Sequence, residues 1–134
     1  MGSKASILVV DDEPDTIGLI ELTLKTAGYN VQSAISGQQA LRKIRDESFD
    51  LVILDIMMPD ISGYEVLRRL QSEAFKVPPV VFLSAKSSQQ DRDLGRSLGA
   101  AGYLVKPTTR GVLLDTVASV LRLATGSPDA SGGA

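Results

Sequence analysis

The chain has 134 residues, with 14 Lys and Arg against 16 Asp and Glu and a formal net charge of -2. It contains neither cysteine nor histidine, which excludes disulfide bridges, thiolate metal centres and histidine-based acid–base chemistry. Charges of both signs are spread along the chain, and no apolar run approaches the ~18 residues of a membrane span. We therefore expect one cytoplasmic domain that contacts neither nucleic acid nor membrane.

The first half of the chain predicts two strands, each followed by a helix. Residues 5–10 form a short apolar run that ends in Asp11 and Asp12. Residues 31–35 are half polar, which favours a strand at the edge of a sheet. Apolar residues at helical spacing follow each run: Ile17, Ile20, Leu24 and Ala27 in the first helix, and Ala40, Leu41 and Ile44 in the second.

The middle of the chain contains its most apolar strand. Residues 51–54 are all apolar and run directly into one acid, Asp55. Such a run, bounded by polar residues, is typical of a strand buried on both faces of a sheet. Pro59 and Gly63 then predict a loop, after which a helical pattern carrying Tyr64, Leu67 and Leu70 begins.

The last third predicts two more strands and two helices. An apolar run, 80–83, ends at Ser84, and a shorter one, 102–105, ends at Lys106. The helix predicted between them, near 88–98, has few apolar anchors beyond Leu94 and Leu98. The final helix carries an apolar stripe of Leu113, Val117, Leu121 and Ala124. We expect the folded domain to span 5–124, followed by a disordered tail at 125–134, whose residues 127–134 are rich in Gly, Ser and Ala.

Five strands that alternate with five helices predict an α/β fold with a doubly wound parallel sheet. Right-handed crossovers leave few strand orders open. The order 2-1-3-4-5, which is that of flavodoxin-like proteins, suits the half-polar second strand because it becomes an edge. It also places the first and third strands side by side at the centre.

Five polar side chains follow the strands of this sheet: Asp11 and Asp12 after the first, Asp55 after the third, Ser84 after the fourth and Lys106 after the fifth. Each alone has a structural interpretation, since acids and Ser suit helix starts and a lysine suits a solvated surface. Because parallel strands share one carboxyl edge, however, all five should meet there, at the edge where open α/β folds bind their ligands.

The chemistry of such a cluster is that of phosphoryl transfer. Clustered carboxylates repel one another, and a divalent cation relieves that repulsion. Oxygen-only ligation favours Mg²⁺, and a lysine can hold phosphate oxygens. A carboxylate in this setting can attack phosphorus and form an aspartyl phosphate.

Four motifs, in order along the chain, resemble those of a response-regulator receiver domain. They are VVDDEPD, LDIMMPDISG, FLSAK and GYLVKP, one after each strand except the half-polar second. The resemblance covers roughly 5–124. It implies a flavodoxin-like (βα)5 receiver that accepts a phosphoryl group on Asp55 from a sensor histidine kinase or a phosphotransfer protein. It also implies no enzymatic turnover beyond weak self-catalysed phosphorylation and dephosphorylation.

The resemblance further implies the role of each site residue. Asp12 and Asp55 would ligate Mg²⁺ directly, together with the backbone carbonyl of Met57, and Asp11 would act through water. Lys106 would contact the phosphoryl group.

Ser84 and Tyr103 would form the switch pair, and the Lys106–Pro107 bond would be cis, which an X–Pro bond allows at modest cost. The surface made by the fourth helix, fifth strand and fifth helix would signal to an output partner. Because nothing after Ala124 resembles an output domain, either a single-domain regulator or the receiver of a longer protein is expected.

Three other functions fit the same fold class. A flavodoxin-like FMN carrier should have a first loop rich in Gly and hydroxyls, whereas DDEPD repels phosphate. A small phosphatase with an Asp nucleophile should carry DxDx after its first strand, where this chain has DDEP. A pseudo-receiver that only binds partners usually lacks part of the acid and lysine set, which here is complete.

Overall fold

The computed structural model describes residues 4–73 and 76–125, and strands and helices alternate throughout them. The elements in chain order are β1 (Ser6–Val10), α1 (Pro14–Thr26), β2 (Asn30–Ala34), α2 (Gly37–Asp46), β3 (Leu51–Asp55), α3 (Gly63–Ser72), β4 (Val80–Ser84), α4 (Gln89–Ser97), β5 (Gly102–Val105) and α5 (Arg110–Thr125).

The five strands form one parallel sheet in the order β2-β1-β3-β4-β5, which confirms the predicted fold and strand order. The register pairs Ile7 of β1 with Leu51 of β3, and Asp55 of β3 with Leu83 of β4. Ser84 pairs with Val105 of β5. The carboxyl ends of β1, β3, β4 and β5 therefore lie together along one edge.

Burial follows the position of each strand in the sheet. All five residues of β3 and of β4 are buried, whereas exposed and covered positions alternate along the edge strand β2. Helices pack on both faces and create two apolar cores. One core is built around Phe82 and Leu67, and the other around Ile53 and Val117. Fully buried strands between two helical layers explain the near-continuous apolar runs in the sequence.

Helix starts are fixed by local chemistry. The side chains of Ser36, Ser62 and Ser88 accept backbone N–H groups in the first turns of α2, α3 and α4, as Ser commonly does at an N-cap. Gly63, which opens α3, lies against β3. A Cβ there would come within 2.4 Å of the Asp55 carbonyl oxygen, so glycine permits this close approach.

The structure corrects the expected anchoring of α4. The apolar pattern predicts Leu94 as an anchor of this helix, but Leu94 is 45% exposed and the buried residue of α4 is Gly95. A Cβ on Gly95 would lie 3.2 Å from both the Phe82 and Tyr103 rings. The helix therefore approaches the sheet through its backbone at a glycine, and that close approach turns Leu94 outward. Leu98 does pack against the core, as expected.

Two further expectations concern the chain ends and the membrane. The predicted tail 125–134 begins at Thr125, which instead ends α5, and the rest of it lies outside the described residues. None of the helices that the structure describes is both long and apolar enough to cross a membrane.

Candidate functional site

The three predicted acids meet at the carboxyl ends of β1 and β3. Each of Asp11, Asp12 and Asp55 offers a carboxylate oxygen within 4.8 Å of the others. Asp11 is 0% exposed and Asp55 is 3% exposed, whereas Asp12 faces solvent. The cluster is therefore two buried carboxylates with one exposed carboxylate at its mouth.

Backbone contacts fix the two buried acids. The Asp11 backbone N–H donates to the Ala34 carbonyl at 3.1 Å, and its Oδ1 accepts the Glu13 N–H at 2.9 Å. Oδ1 of Asp55 accepts the backbone N–H of Met57 at 3.2 Å. These contacts hold each carboxylate against the loop that follows its own strand.

Lys106 supplies the positive charge at the site. Its Nζ lies 2.8 Å from Asp11 Oδ2, 3.3 Å from Glu13 Oε1 and 3.4 Å from Asp55 Oδ2. The lysine is oriented by its backbone N–H, which donates to the Ser84 carbonyl at 2.8 Å. The Lys106–Pro107 peptide bond is cis, as the resemblance implies.

Burial and charge shift the ionisation of this cluster. Burial, reinforced by the neighbouring charge of Asp11, raises the pKa of Asp55 to about 6, although Lys106 and the Met57 N–H act against this. Burial alone would lower the pKa of Lys106, but its close contact with the Asp11 carboxylate and the charge of Asp55 outweigh that effect and raise the pKa. The ammonium therefore stays charged while Asp55 titrates.

The predicted switch residues lie behind this site and share one neighbour, Lys86. Ser84 is 1% exposed, and its Oγ accepts the Lys86 backbone N–H at 3.0 Å. The half-buried Tyr103 donates its hydroxyl to the Lys86 carbonyl at 3.0 Å. The guanidinium of Arg92 in α4 lies 5.9 Å from the centre of the Tyr103 ring. The loop after β4 therefore joins Ser84 to Tyr103 and α4.

The residues present fit a divalent cation. Asp11 Oδ2 is buried, and its contact with Lys106 is an ion pair that lacks the geometry of a hydrogen bond. Lys106 carries a single positive charge and shares it with Asp55 and Glu13, so it offsets only part of the negative charge of the cluster, and a further cation there would be favourable. All three acids are hard oxygen ligands of the kind that Mg²⁺ prefers. The backbone of Met57, the fourth predicted contributor, lies beside Asp55, and its side chain is 64% exposed.

Two contributors to the site were missed by sequence reasoning. The sequence places Glu13 only in an acidic loop, yet its carboxylate contacts Lys106, which is 93 residues away in the chain. The apolar pattern gives no signal for Gly95, although this glycine makes room for the Tyr103 ring. The third acid of DDEP was the one available signal for Glu13.

Comparison with known proteins gives a consistent result. The sequence profile of the response regulator receiver domain matches residues 7–118. The transcriptional regulatory protein TrcR of Mycobacterium tuberculosis is 38% identical over 121 residues, which cover 90% of this chain and 47% of TrcR. The alkaline phosphatase synthesis regulator PhoP of Bacillus subtilis is also 38% identical, over 87% of this chain and 48% of PhoP. The chain thus spans about half the length of the curated relatives it matches.

Two solved structures are similar to this chain over nearly their whole length. The chemotaxis protein CheY4 of Vibrio cholerae has a TM-score of 0.80 at 36% identity, covering 88% of this chain and 99% of CheY4. A CheY-like receiver domain protein of Methanospirillum hungatei has a TM-score of 0.84 at 27% identity, covering 92% of this chain and 98% of that one. From the strand order, the clustered acids, the paired lysine and these matches, the chain belongs to the response-regulator receiver domain family of two-component signal transduction.

Proposed function

We propose that this receiver accepts a phosphoryl group on Asp55 from the phosphohistidine of a sensor histidine kinase or a phosphotransfer protein. One observation carries the assignment: Asp55 is a buried carboxylate that ends the central strand, beside two further acids and 3.4 Å from Lys106 Nζ. Asp11 is also buried, but its Oδ2 is the oxygen closest to Lys106. Donor and receiver would meet in the cytoplasm, and the domain itself would turn over no substrate.

Mg²⁺ is the proposed cofactor. Asp12, Asp55 and the Met57 carbonyl would hold it, with Asp11 acting through water. When bound, it would supply positive charge that offsets both the repulsion among the acids and the charge on the incoming phosphoryl group.

The chain's own residues account for the transfer step. A carboxylate oxygen of Asp55 forms the new P–O bond while the P–N bond of the donor phosphohistidine breaks. The ring nitrogen keeps the electron pair of the broken bond, and the histidine leaves as neutral imidazole once its other ring nitrogen carries a proton. Lys106, already within 3.4 Å of Asp55, contacts a phosphoryl oxygen without needing to be recruited from a distance.

The same group would then act as the signal. A phosphoryl group on Asp55 would supply charged acceptor oxygens that form strong hydrogen bonds, so the Ser84 hydroxyl would turn toward it. The loop around Lys86 moves with Ser84, and the hydroxyl of Tyr103, which now donates to the Lys86 carbonyl, loses that position and turns inward. The surface formed by α4, β5 and α5 changes as a result and is the proposed face for an output partner.

Phosphorylation by a small phosphodonor tests the assignment. With acetyl phosphate or phosphoramidate and Mg²⁺, the intact mass of the wild type should rise by one base-labile phosphoryl group, and Asp55→Asn should take none. Asp46→Asn, which removes an exposed acid at the end of α2, is the matched control and should label like the wild type. Labelling of Asp55→Asn would disprove the assignment. Absence of labelling in the wild type would favour a pseudo-receiver. Steady hydrolysis of a phosphate monoester by the wild type would favour a phosphatase.

A further inference from the structure

The side chain of Asp60, in the loop between β3 and α3, forms hydrogen bonds with helix α2. Its Oδ1 accepts the backbone N–H of Gly37 at 3.1 Å, and its Oδ2 accepts that of Gln38 at 2.8 Å. Both donors lie in the first turn of α2, more than 20 residues earlier in the chain. One carboxylate therefore ties the loop after Asp55 to the start of α2.

The same loop is fixed at two further points. A Cβ on Gly37 would lie 2.3 Å from Cγ1 of Ile61, so the loop packs directly on the first residue of α2. At its end, the Gly63 N–H donates to the Ile56 carbonyl at 2.8 Å, beneath Asp55. The loop thus has little freedom where Asp60 and Gly63 hold it, and Met57 lies between these points and Asp55.

Met57 is the residue through which this loop would affect the chemistry. Its N–H donates to Asp55 Oδ1 at 3.2 Å, and its carbonyl is the third of the proposed direct ligands of the cation. The helix that Asp60 contacts, α2, follows strand β2. The Ala34 carbonyl at the end of β2 accepts the backbone N–H of Asp11. Asp60 therefore joins the chain segment that supports Asp11 to the segment that carries Met57.

We propose that Asp60 is a positioning residue for the cation and for phosphoryl transfer, acting through the Met57 backbone. The inference rests on the proposed function and extends it to a residue five positions beyond Asp55 that does not touch the reacting atoms. By bonding two N–H groups of α2, Asp60 sets the path of the loop and so the place of the Met57 carbonyl. Residues that orient metal ligands in this way contribute to metal affinity although they make no bond to the metal.

The electrostatics of Asp60 agree with a held carboxylate. Slight burial acts to raise its pKa, but the backbone N–H groups of Gln38, Ile61 and Gly37 outweigh it and lower that pKa. The carboxylate is therefore ionised, and charge-assisted hydrogen bonds of this kind are stronger than neutral ones. A plain helix cap would have the same property, so the test has to separate capping from positioning.

The chain offers a matched control for that separation. The Ser36 hydroxyl accepts the Gln39 N–H at 3.1 Å and so caps the same helix, but it belongs to the segment before α2 and does not hold the loop. Ser36→Ala and Asp60→Ala should both lower the melting temperature through loss of a cap. Only Asp60→Ala should also release Met57.

The measurement is an NMR titration of the wild type, Asp60→Ala, Asp60→Asn and Ser36→Ala with Mg²⁺ alone. Asp60→Ala should weaken Mg²⁺ binding about tenfold, the lower end for residues behind metal ligands, whereas Ser36→Ala should stay within about twofold of the wild type. Asn keeps one acceptor oxygen, so Asp60→Asn should lie between them and also serves if the alanine variant fails to fold. In the absence of Mg²⁺, the Met57 amide should gain motion in Asp60→Ala only.

Equal Mg²⁺ affinity in Asp60→Ala and wild type would overturn the proposal, as would equal weakening in Ser36→Ala. Each variant should also be phosphorylated by phosphoramidate at a fixed, subsaturating Mg²⁺ concentration, where Asp60→Ala should be slower and Ser36→Ala unchanged. A wild type that binds Mg²⁺ but takes no phosphoryl group would disprove the proposed function and leave the Asp60 comparison intact. A labelled wild type with an unaffected Asp60→Ala would disprove only the role of Asp60.

Discussion

The ammonium group of Lys106 lies 2.8 Å from the buried Oδ2 of Asp11 and joins the last strand to the first. The lysine side chain is 20% exposed, whereas that of Asp11 is fully buried. In the metal-free protein this cation offsets the charge of the acid cluster, because Asp55 and Glu13 also lie within 3.4 Å of it. Lys106 therefore has a structural role in addition to its proposed contact with phosphate.

Lys106→Met should destabilise the metal-free protein by about 2 kcal/mol, because it leaves buried carboxylates without a cation, and the partial exposure of Lys106 keeps the loss below that of a fully buried pair. Mg²⁺ should restore more of the melting temperature in this variant than it adds to the wild type. Thermal unfolding with and without Mg²⁺ measures both effects. Lys4→Met, which removes an exposed lysine just before β1, is the control and should change neither. An unchanged melting temperature in Lys106→Met would show that Lys106 does not offset the acids.

The raised pKa of Asp55 predicts a pH-dependent stability. The folded protein holds the Asp55 proton up to about pH 6, and the unfolded chain only to its ordinary value of 3.8. Ionising Asp55 therefore lowers the free energy of unfolding of the wild type. This loss is absent below about pH 4, grows between pH 4 and pH 6, and is complete above about pH 6. Asp55→Asn avoids the cost, so we expect it to be more stable than the wild type by about 1–2 kcal/mol at pH 7.5.

Denaturant unfolding of the metal-free proteins at several pH values checks the Asp55→Asn prediction. The gain should shrink as the pH falls from 6.5 to 4, and it should disappear when Mg²⁺ is added to the wild type. Asp15→Asn, in the exposed first turn of α1, should show no such trend. A stability difference that does not vary with pH would mean that Asp55 is not ionised at a cost.

Asp12→Ala should remove most Mg²⁺ affinity with little effect on the metal-free fold. Asp12 is the exposed member of the cluster, so its repulsion of Asp11 and Asp55 is screened by water and its loss should change stability by less than about 0.5 kcal/mol. Calorimetric titration with Mg²⁺ should show affinity lower by at least tenfold, because losing a direct ligand should cost no less than the roughly tenfold typical of residues that only orient the ligands. Asp15→Ala serves as the nearby acidic control. Wild-type Mg²⁺ affinity in Asp12→Ala would place the cation elsewhere.

Much of the site followed from the sequence because parallel strands share one edge. Residues 51–54 predict a buried central strand, so Asp55 has to lie at the carboxyl end of that strand. Because the carboxyl ends of parallel strands share one edge, Asp11, Ser84 and Lys106 are expected at the same edge as Asp55. The apolar runs are long enough to identify strands whose two faces are both covered. The position of each acid therefore depends on chain pattern and topology, which a sequence carries directly.

The parts that escaped prediction are tertiary contacts between distant segments. The contact of Lys106 with Glu13 depends on side-chain direction, and that of Asp60 with Gly37 on the path of a loop. The burial of Gly95 in place of Leu94 reflects how closely α4 approaches the sheet, which apolar periodicity does not report because glycine has no side chain to count.

Gly95→Ala should disturb the packing of α4 on the rings of Phe82 and Tyr103. Alanine favours helix by about 1 kcal/mol over glycine, but its Cβ would lie 3.2 Å from the rings of Phe82 and Tyr103, and Phe82 is fully buried. We expect no net gain in stability and altered NMR signals from both rings in the unphosphorylated protein. Gly18→Ala is the matched control, since its Cβ meets nothing within 4 Å in α1, and it should raise the melting temperature. Equal gains in the two variants would show that α4 yields freely at Gly95.

We predict that occupation of Asp55 is transmitted through Ser84 to Tyr103 and α4. Beryllofluoride, a mimic of the phosphoryl group, should bias an existing equilibrium between two arrangements of this region. The link available to Ser84 is its contact with Lys86, whose carbonyl now holds the Tyr103 hydroxyl. Ser84→Ala removes the Ser84 hydroxyl, and with it this link, while leaving Asp55 and Lys106 in place.

The most direct test is an amide NMR comparison of the wild type, Ser84→Ala and the exposed-loop control Ser87→Ala, each with Mg²⁺ and with or without beryllofluoride. Wild type and Ser87→Ala should show their largest shifts, beyond those at the acids, in α4 and around Tyr103. Ser84→Ala should respond near Asp55 and lose the distant shifts. Shifts confined to the neighbours of Asp55 in the wild type, or a wild-type response in Ser84→Ala, would contradict the claim.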